Sequence, residues 1–341
     1  MTELSWKEQE IDQFFERRQS TKQLECDEYA HKISGGSIEA VGVPGSLSYT
    51  VLCTDCPREP RNLIVSLREV WSTLDTAITQ LAKSIHGDFV PEASFHGEMP
   101  NSNPSLLVYT MPYLQGITCL EAFGSKLEMK PEEKAKHLRF FKDLARYFAR
   151  CWSSPQPVDF QVQNGTQEEI HRQLTKVKST HFESVLPDAT ILELQRSLPV
   201  LFQQTYPQVL THNDISQTNI LVNEETFEIT GLVDWSLAKV LPFGMELGTL
   251  ILATGYMGIG EWHTYTCRQR LIDAFWAEFW AQCQIVDPIR QQEVRSIAMQ
   301  GAKIASVLHY AFKRNADGTS SEELNITDWA LRWLEVSTQD Y

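Results

Sequence analysis

The chain has 341 residues, a formal net charge of −14 and 42% hydrophobic residues, which suits one large domain or two lobes sharing a cleft. Its acidity disfavours nucleic acid and anionic membrane as partners, because such binders present a basic face. The seven cysteines are scattered and odd in number, as in a reducing compartment, and the C-x-x-C of Cys53 and Cys56 lacks the second ligand pair that a zinc site needs.

Met1–Lys7 shows no basic segment leading into an apolar one, and the longest uncharged apolar run, 247–260, is glycine-broken and too short for a bilayer. An intracellular, cytoplasmic protein is the expectation. Residues 5–33 read as helical, with Trp6, Ile11, Phe14 and Phe15 at helical spacing and Gly35-Gly36 closing the region. Runs 38–43 and 48–53 predict a hairpin across Pro44-Gly45-Ser46. A strand at 63–68 and a helix at 73–86 follow, the helix with Leu74, Ile78, Leu81 and Ile85 on one face and Gly87 as its stop. Val90-Pro91 and 105–111 read as further strands. Pro112–Gly116 is then a connector between a β-rich lobe, 1–113, and a larger helical lobe, 114–341. Helices are predicted at 131–152, where Pro131 leads Glu132 and Glu133, and at 188–206. Short strands follow at 220–223 and 229–233, and the chain reads as helical from 267 to its end.

The stretch Thr211-His212-Asn213-Asp214-Ile215-Ser216-Gln217-Thr218-Asn219 contains H-x-D-x4-N, followed by a strand pair that ends at Asp234-Trp235. This is the catalytic layout of kinase folds. Phosphoryl transfer needs a carboxylate that orients the acceptor and takes its proton, a role for Asp214. It also needs hard oxygens for Mg²⁺, here the Asn219 amide and the Asp234 carboxylate. His212 braces the loop. No G-x4-G-K-[ST] occurs, and Asp234 is followed by Trp-Ser without a later A-P-E, so a small-molecule acceptor is favoured over a protein.

The wording "THNDISQTNILV…ITGLVDW" resembles the aminoglycoside phosphotransferase and choline kinase-like superfamily. The "PFG" at 242–244, "GSLSYTV" at 45–51, "LIVSLR" at 63–68, "HGDFVP" at 86–91 and "MPYLQG" at 111–116 resemble, in order, its fungal branch. The resemblance spans roughly residues 26–285. It implies an α+β, protein-kinase-like bilobal fold, small and β-rich at the N-terminus and mostly helical beyond. It also implies a nucleoside triphosphate, ATP or GTP, as donor. Gly45, Ser46 and Ser48 would form the phosphate loop, and Arg68 would grip phosphates from the third strand. Asp75 stands nearest to the usual helix acid that pairs with the basic residue, and Met111 and Tyr113 fall at the hinge.

For the acceptor, Phe275, Trp276, Phe279 and Trp280 offer either an aromatic cage for an ammonium group or helix-packing core. Glu246, Glu261 and Asp273 are candidate amine-binding carboxylates, or else plain surface charges. Three functions stand open: a small-molecule kinase, a nucleotide-binding pseudoenzyme or scaffold, and an enzyme that uses its nucleotide for nucleotidyl transfer or carboxylate activation.

Overall fold

The computed structural model describes residues 6–16, 21–45, 47–57, 61–124, 127–178, 182–315 and 318–338. The chain divides into two compact units. The first comprises Met1–Gln115, Thr230–Ser236 and Ala316–Gly318; the second comprises Gly116–Ile229, Leu237–Asn315 and Thr319–Tyr341.

The first unit is built on a five-stranded antiparallel sheet of β1 (Ser37–Ala40), β2 (Ser48–Thr54), β3 (Leu63–Glu69), β4 (Ser94–Glu98) and β5 (Leu106–Pro112), in the order β1-β2-β3-β5-β4. Strand periodicity sorts its residues onto two faces. Tyr49, Val51, Cys53, Val65, Leu67, Leu106 and Val108 form the core with Ile11 and Phe14 of α1 (Trp6–Glu16) and Cys26 and Ala30 of α2 (Gln23–Ser34). The alternate positions of β2 and β3, namely Ser48, Thr50, Ser66 and Arg68, form a polar row on the other face. The expected single helical region is thus two helices. Lys22 is extended, and its amide donates to the Glu25 carboxylate at 2.9 Å, so a second helix starts there.

The helix α3 (Thr76–His86) starts at an Asp75 cap and ends as expected at Gly87, whose φ is 64°. Val90 belongs to no strand, because its amide closes a short 3₁₀ turn onto Gly87. The edge strand is β4 instead, bulged between Phe95 and Gly97.

In the second unit, β6 (Ile117–Thr118) and a short helix, α4 (Cys119–Ala122), precede α5 (Pro131–Ser153), α6 (Phe160–Val177) and α7 (Asp188–Leu201). The strand β7 (Gln208–Thr211) leads to the segment with the H-x-D-x4-N motif. Next come β8 (Ile220–Val222), which pairs with β6, and β9 (Ile229–Leu232), within which the chain passes into the first unit. On its return, β10 (Lys239–Pro242) pairs antiparallel with β7, setting Lys239 opposite Thr211. Then come α8 (Gly248–Leu252), the hairpin of β11 (Gly255–Met257) and β12 (Trp262–Thr264), α9 (Arg268–Cys283) and α10 (Pro288–Tyr310).

The chain is not helical throughout from 267. A hairpin of β13 (Phe312–Arg314) and β14 (Ser320–Leu324) separates α10 from α11 (Asp328–Thr338). The α9 aromatics are core: Phe275, Trp276 and Phe279 are buried, with Phe148 of α5 6.0 Å from Phe275 and Trp152 of α5 6.2 Å from Phe279. Among the described residues, no helix is long and apolar enough to cross a membrane.

Candidate functional site

In the second unit, the candidate catalytic loop begins where β7 ends. Asn213 sits at φ 62°, a left-handed conformation that asparagine tolerates better than most residues. Glu246 holds this bend. It accepts hydrogen bonds from the Asn213 amide at 2.6 Å, the His212 amide at 3.2 Å and the Tyr147 hydroxyl at 3.1 Å. His212 and Tyr147 are fully buried, and Glu246 is 8% exposed. Glu246 is therefore a buried loop anchor, in place of the acceptor-binding or surface carboxylate expected from sequence. Burial pushes its carboxyl up to about 7, against the opposing pull of the two amides and the tyrosine, and the nearby Asp214 charge adds to the rise. Thr249 pins the same loop by donating to the Ile215 carbonyl at 2.8 Å.

The Asn219 side-chain nitrogen donates to the Asp214 carbonyl at 2.8 Å and to the Asp214 carboxylate Oδ2 at 3.2 Å. Both partners are acceptors, so the NH₂ of Asn219 must face Asp214 and its Oδ1 turns the other way. The arrangement ties the Asp214 carbonyl and one carboxylate oxygen to Asn219. Glu261 and Asp273 are exposed, and Asp273 accepts from Gln269 at 2.8 Å.

In the first unit, Arg68 is buried at the end of the polar row, opposite Ser48 in register. Its Nε donates to the Ser72 carbonyl at 2.7 Å, and its Nη2 donates to the Ser72 hydroxyl at 2.9 Å and to Asp234 Oδ1 at 3.2 Å. Asp234 follows β9 at φ 61°, and the Trp235 indole beside it donates to the Leu232 carbonyl at 3.1 Å and lies 5.7 Å from the His86 ring. Gly231 is small of necessity: a Cβ there would stand 2.5 Å from Leu114 Cδ1.

Asp75, expected as the partner of Arg68, spends its carboxylate on the Ala77 and Ile78 amides at 2.8 and 3.2 Å. The acid that Arg68 meets is Asp234. Gly45 bridges to Ser48, and a Cβ on it would meet the Ser48 hydroxyl at 3.0 Å. That hydroxyl is buried and joins a row through Thr50 (3.2 Å) to Ser66 (3.1 Å). Ser46 lies outside the described residues. Met111 pairs with Ile64, and the Tyr113 amide donates to the Asn62 carbonyl at 2.9 Å.

Thus Ser48, Arg68 and Asp234 come together in the first unit, and His212, Asp214 and Asn219 in the second. Ser72 and Glu246 were not foreseen in these roles. Glu246 had a signal, being the sole charged residue between Val240 and Gly260; Ser72 had none. Among the described residues, no three His, Cys, Asp or Glu cluster as a closed metal site.

A model of the phosphotransferase enzyme family (APH) matches residues 79–282, more than half of the chain. No curated protein sequence matches significantly. Among solved structures, the chain is similar to a candidate aminoglycoside phosphotransferase of Ralstonia eutropha JMP134, with 13% identity, a TM-score of 0.54, and 93% of this chain and 97% of that one covered. It is similar to the ethanolamine kinase of Plasmodium vivax, with 10% identity, a TM-score of 0.52 and coverage of 99% and 94%. It is also similar to the GDP complex of aminoglycoside 2'-phosphotransferase-IIIa, with 15% identity, a TM-score of 0.51 and coverage of 85% and 91%. At these identities the likeness is one of fold.

Proposed function

Since the chain belongs to the phosphotransferase enzyme family, we propose that it transfers the γ-phosphoryl group of ATP or GTP, with magnesium, to a hydroxyl or amine of a small molecule. The observation that carries this reading is the anchored loop around Asp214. Asn219 holds Asp214 Oδ2, and the Asp214 carboxylate orients the acceptor and takes its proton as the acceptor's bond to the γ-phosphorus forms and the bond to the β-phosphate oxygen breaks, releasing the nucleoside diphosphate. Glu246 positions that loop through its backbone and touches no reactant. Asn219 Oδ1 from the second unit and the Asp234 carboxylate from the first would be the oxygens that hold magnesium, and the ion would supply neutralisation of charge on the phosphates. Arg68 presents its fork to the donor phosphates beside the Gly45 turn, and Met111 and Tyr113 border the base. A protein of the same fold has been captured with GDP, which supports a purine nucleotide as donor.

The test pairs binding with turnover. Mg·ATP or Mg·GTP should raise the melting temperature of wild type and not of Asp234→Ala. Nucleoside diphosphate release should fall roughly 10²–10⁴-fold in Asp214→Asn, with nucleotide binding retained. Absence of any shift at millimolar nucleotide would sink the proposal.

A second reading is nucleotide binding without transfer. It is favoured by the bonding of Arg68, which is held by Asp234 and Ser72 with no helix acid engaged. A wild-type nucleotide shift without diphosphate release would support that reading. AMP or pyrophosphate as product would point to nucleotidyl transfer or carboxylate activation.

A further inference from the structure

Between β3 and α3, the Ser72 amide donates to the Glu69 carbonyl at 2.8 Å and closes the turn Glu69-Val70-Trp71-Ser72. The two middle residues are apolar and yet face solvent, Val70 at 40% and Trp71 at 46% exposed, whereas Arg68, Glu69 and Ser72 at the base are buried. Packing of Val70 and Trp71 therefore does little to hold the turn, and its hydrogen bonds carry its shape. The Glu69 amide donates to the Leu47 carbonyl at 3.2 Å and ties the same turn to the segment that follows Gly45.

A guanidinium carries five N–H donors in one plane. Arg68 Nε donates to the Ser72 carbonyl at 2.7 Å and Nη2 to the Ser72 hydroxyl at 2.9 Å, so one residue takes the whole Nε–Nη2 edge of the fork. Two acceptors on one edge fix the plane of the group as well as its position. Nη2 also donates to Asp234 Oδ1 at 3.2 Å. The N–H groups of Nη1 meet no acceptor among the described residues, so the open edge of the fork is Nη1 with the side of Nη2 that faces Asp234. Both Ser72 acceptors are neutral. They orient the guanidinium without cancelling its charge, which stays available to an anion at the open edge.

We propose that Ser72 is the positioning residue of the donor-phosphate site. It sets the plane of Arg68 from the β3–α3 turn, as a neutral group, and so does the work for which an acid on α3 was expected. This assignment rests on the reading in which Arg68 grips the phosphates of the donor nucleotide. Asp75 does not share the task, because its carboxylate is spent on the Ala77 and Ile78 amides.

Calorimetric titration of the full chain with Mg·ATP and Mg·GTP is the test. Ser72→Ala removes one of the two acceptors and should raise the Kd about tenfold, the size of one hydrogen bond to a charged group. Ser72→Thr keeps the hydroxyl and should stay within about threefold of wild type. Arg68→Lys keeps the charge and has no fork to orient, so adding Ser72→Ala to it should change the Kd by less than about twofold. A side chain that only supported the fold would weaken binding by the same factor in both backgrounds. Should Ser72→Ala fail to fold, Ser72→Cys, a weaker acceptor of nearly the same size, replaces it with the same expectation. An unchanged Kd in Ser72→Ala, an equal penalty in wild type and in Arg68→Lys, or no rescue by Ser72→Thr overturns the proposal and leaves the phosphotransferase reading standing. A wild type that binds neither nucleotide overturns that reading, and the assignment of Ser72 falls with it.

Discussion

Glu246 joins the stability of the protein to the shape of its candidate catalytic loop, and it can be perturbed in two ways. Glu246→Ala deletes the acceptor of three hydrogen bonds, at 2.6, 3.2 and 3.1 Å, two of them from loop amides. A buried donor left without a partner costs about 1–3 kcal/mol, so a loss of about 3–5 kcal/mol in urea unfolding is expected. Glu246→Gln isolates the charge. The native carboxyl sits near 7 against an ordinary 4.5, so the folded state holds a proton that the unfolded chain releases. That contribution is fully present below about pH 4.5 and drains away as pH rises through 7, amounting to about 3 kcal/mol. Glutamine has no proton to release. The unfolding free energy of wild type should therefore fall relative to Glu246→Gln between pH 5 and pH 8. Parallel pH profiles for the two proteins would refute the buried-carboxylate argument.

Other perturbations probe the remaining contacts. Asp75→Ala removes a helix cap and should destabilise by about 1 kcal/mol in thermal unfolding, with the KM for nucleotide unchanged. A raised KM would restore Asp75 to the nucleotide site. Asp234→Ala should lower stability by about 1–3 kcal/mol even without nucleotide, because buried Arg68 loses its carboxylate. Equal unfolding midpoints would show the ion pair to be idle. Gly244→Ala should cost roughly 2–4 kcal/mol: φ is 100°, and a Cβ would meet the Ala298 carbonyl at 2.4 Å. A fully stable Gly244→Ala protein would contradict that close approach.

What the sequence revealed, and what it hid, follows from how far each signal reaches along the chain. The H-x-D-x4-N loop, the β2 and β3 strands and the α5 helix are written in local spacing and could be read directly. β4 escaped notice because an edge strand carrying Phe95, His96 and Glu98 in the open needs no apolar alternation. α6 escaped because just Ile170, Leu174 and Val177 are buried along its polar length. The role of Glu246 was hidden because a buried acid and a surface acid look alike until its three donors, two at 212–213 and one at 147, are known. Asp75 illustrates the opposite error, in which an acid at a plausible position is fully used by its own helix.

Arg68 and Asp234 are 166 residues apart in the chain. During synthesis at roughly 5–20 residues per second, the guanidinium emerges on the order of ten seconds or more before the carboxylate that will neutralise it. A nascent chain stalled before residue 230 thus holds every strand of the five-stranded sheet and still lacks one of its charges. The first unit is thus completed by a residue made after α4, α5, α6 and α7 of the second unit.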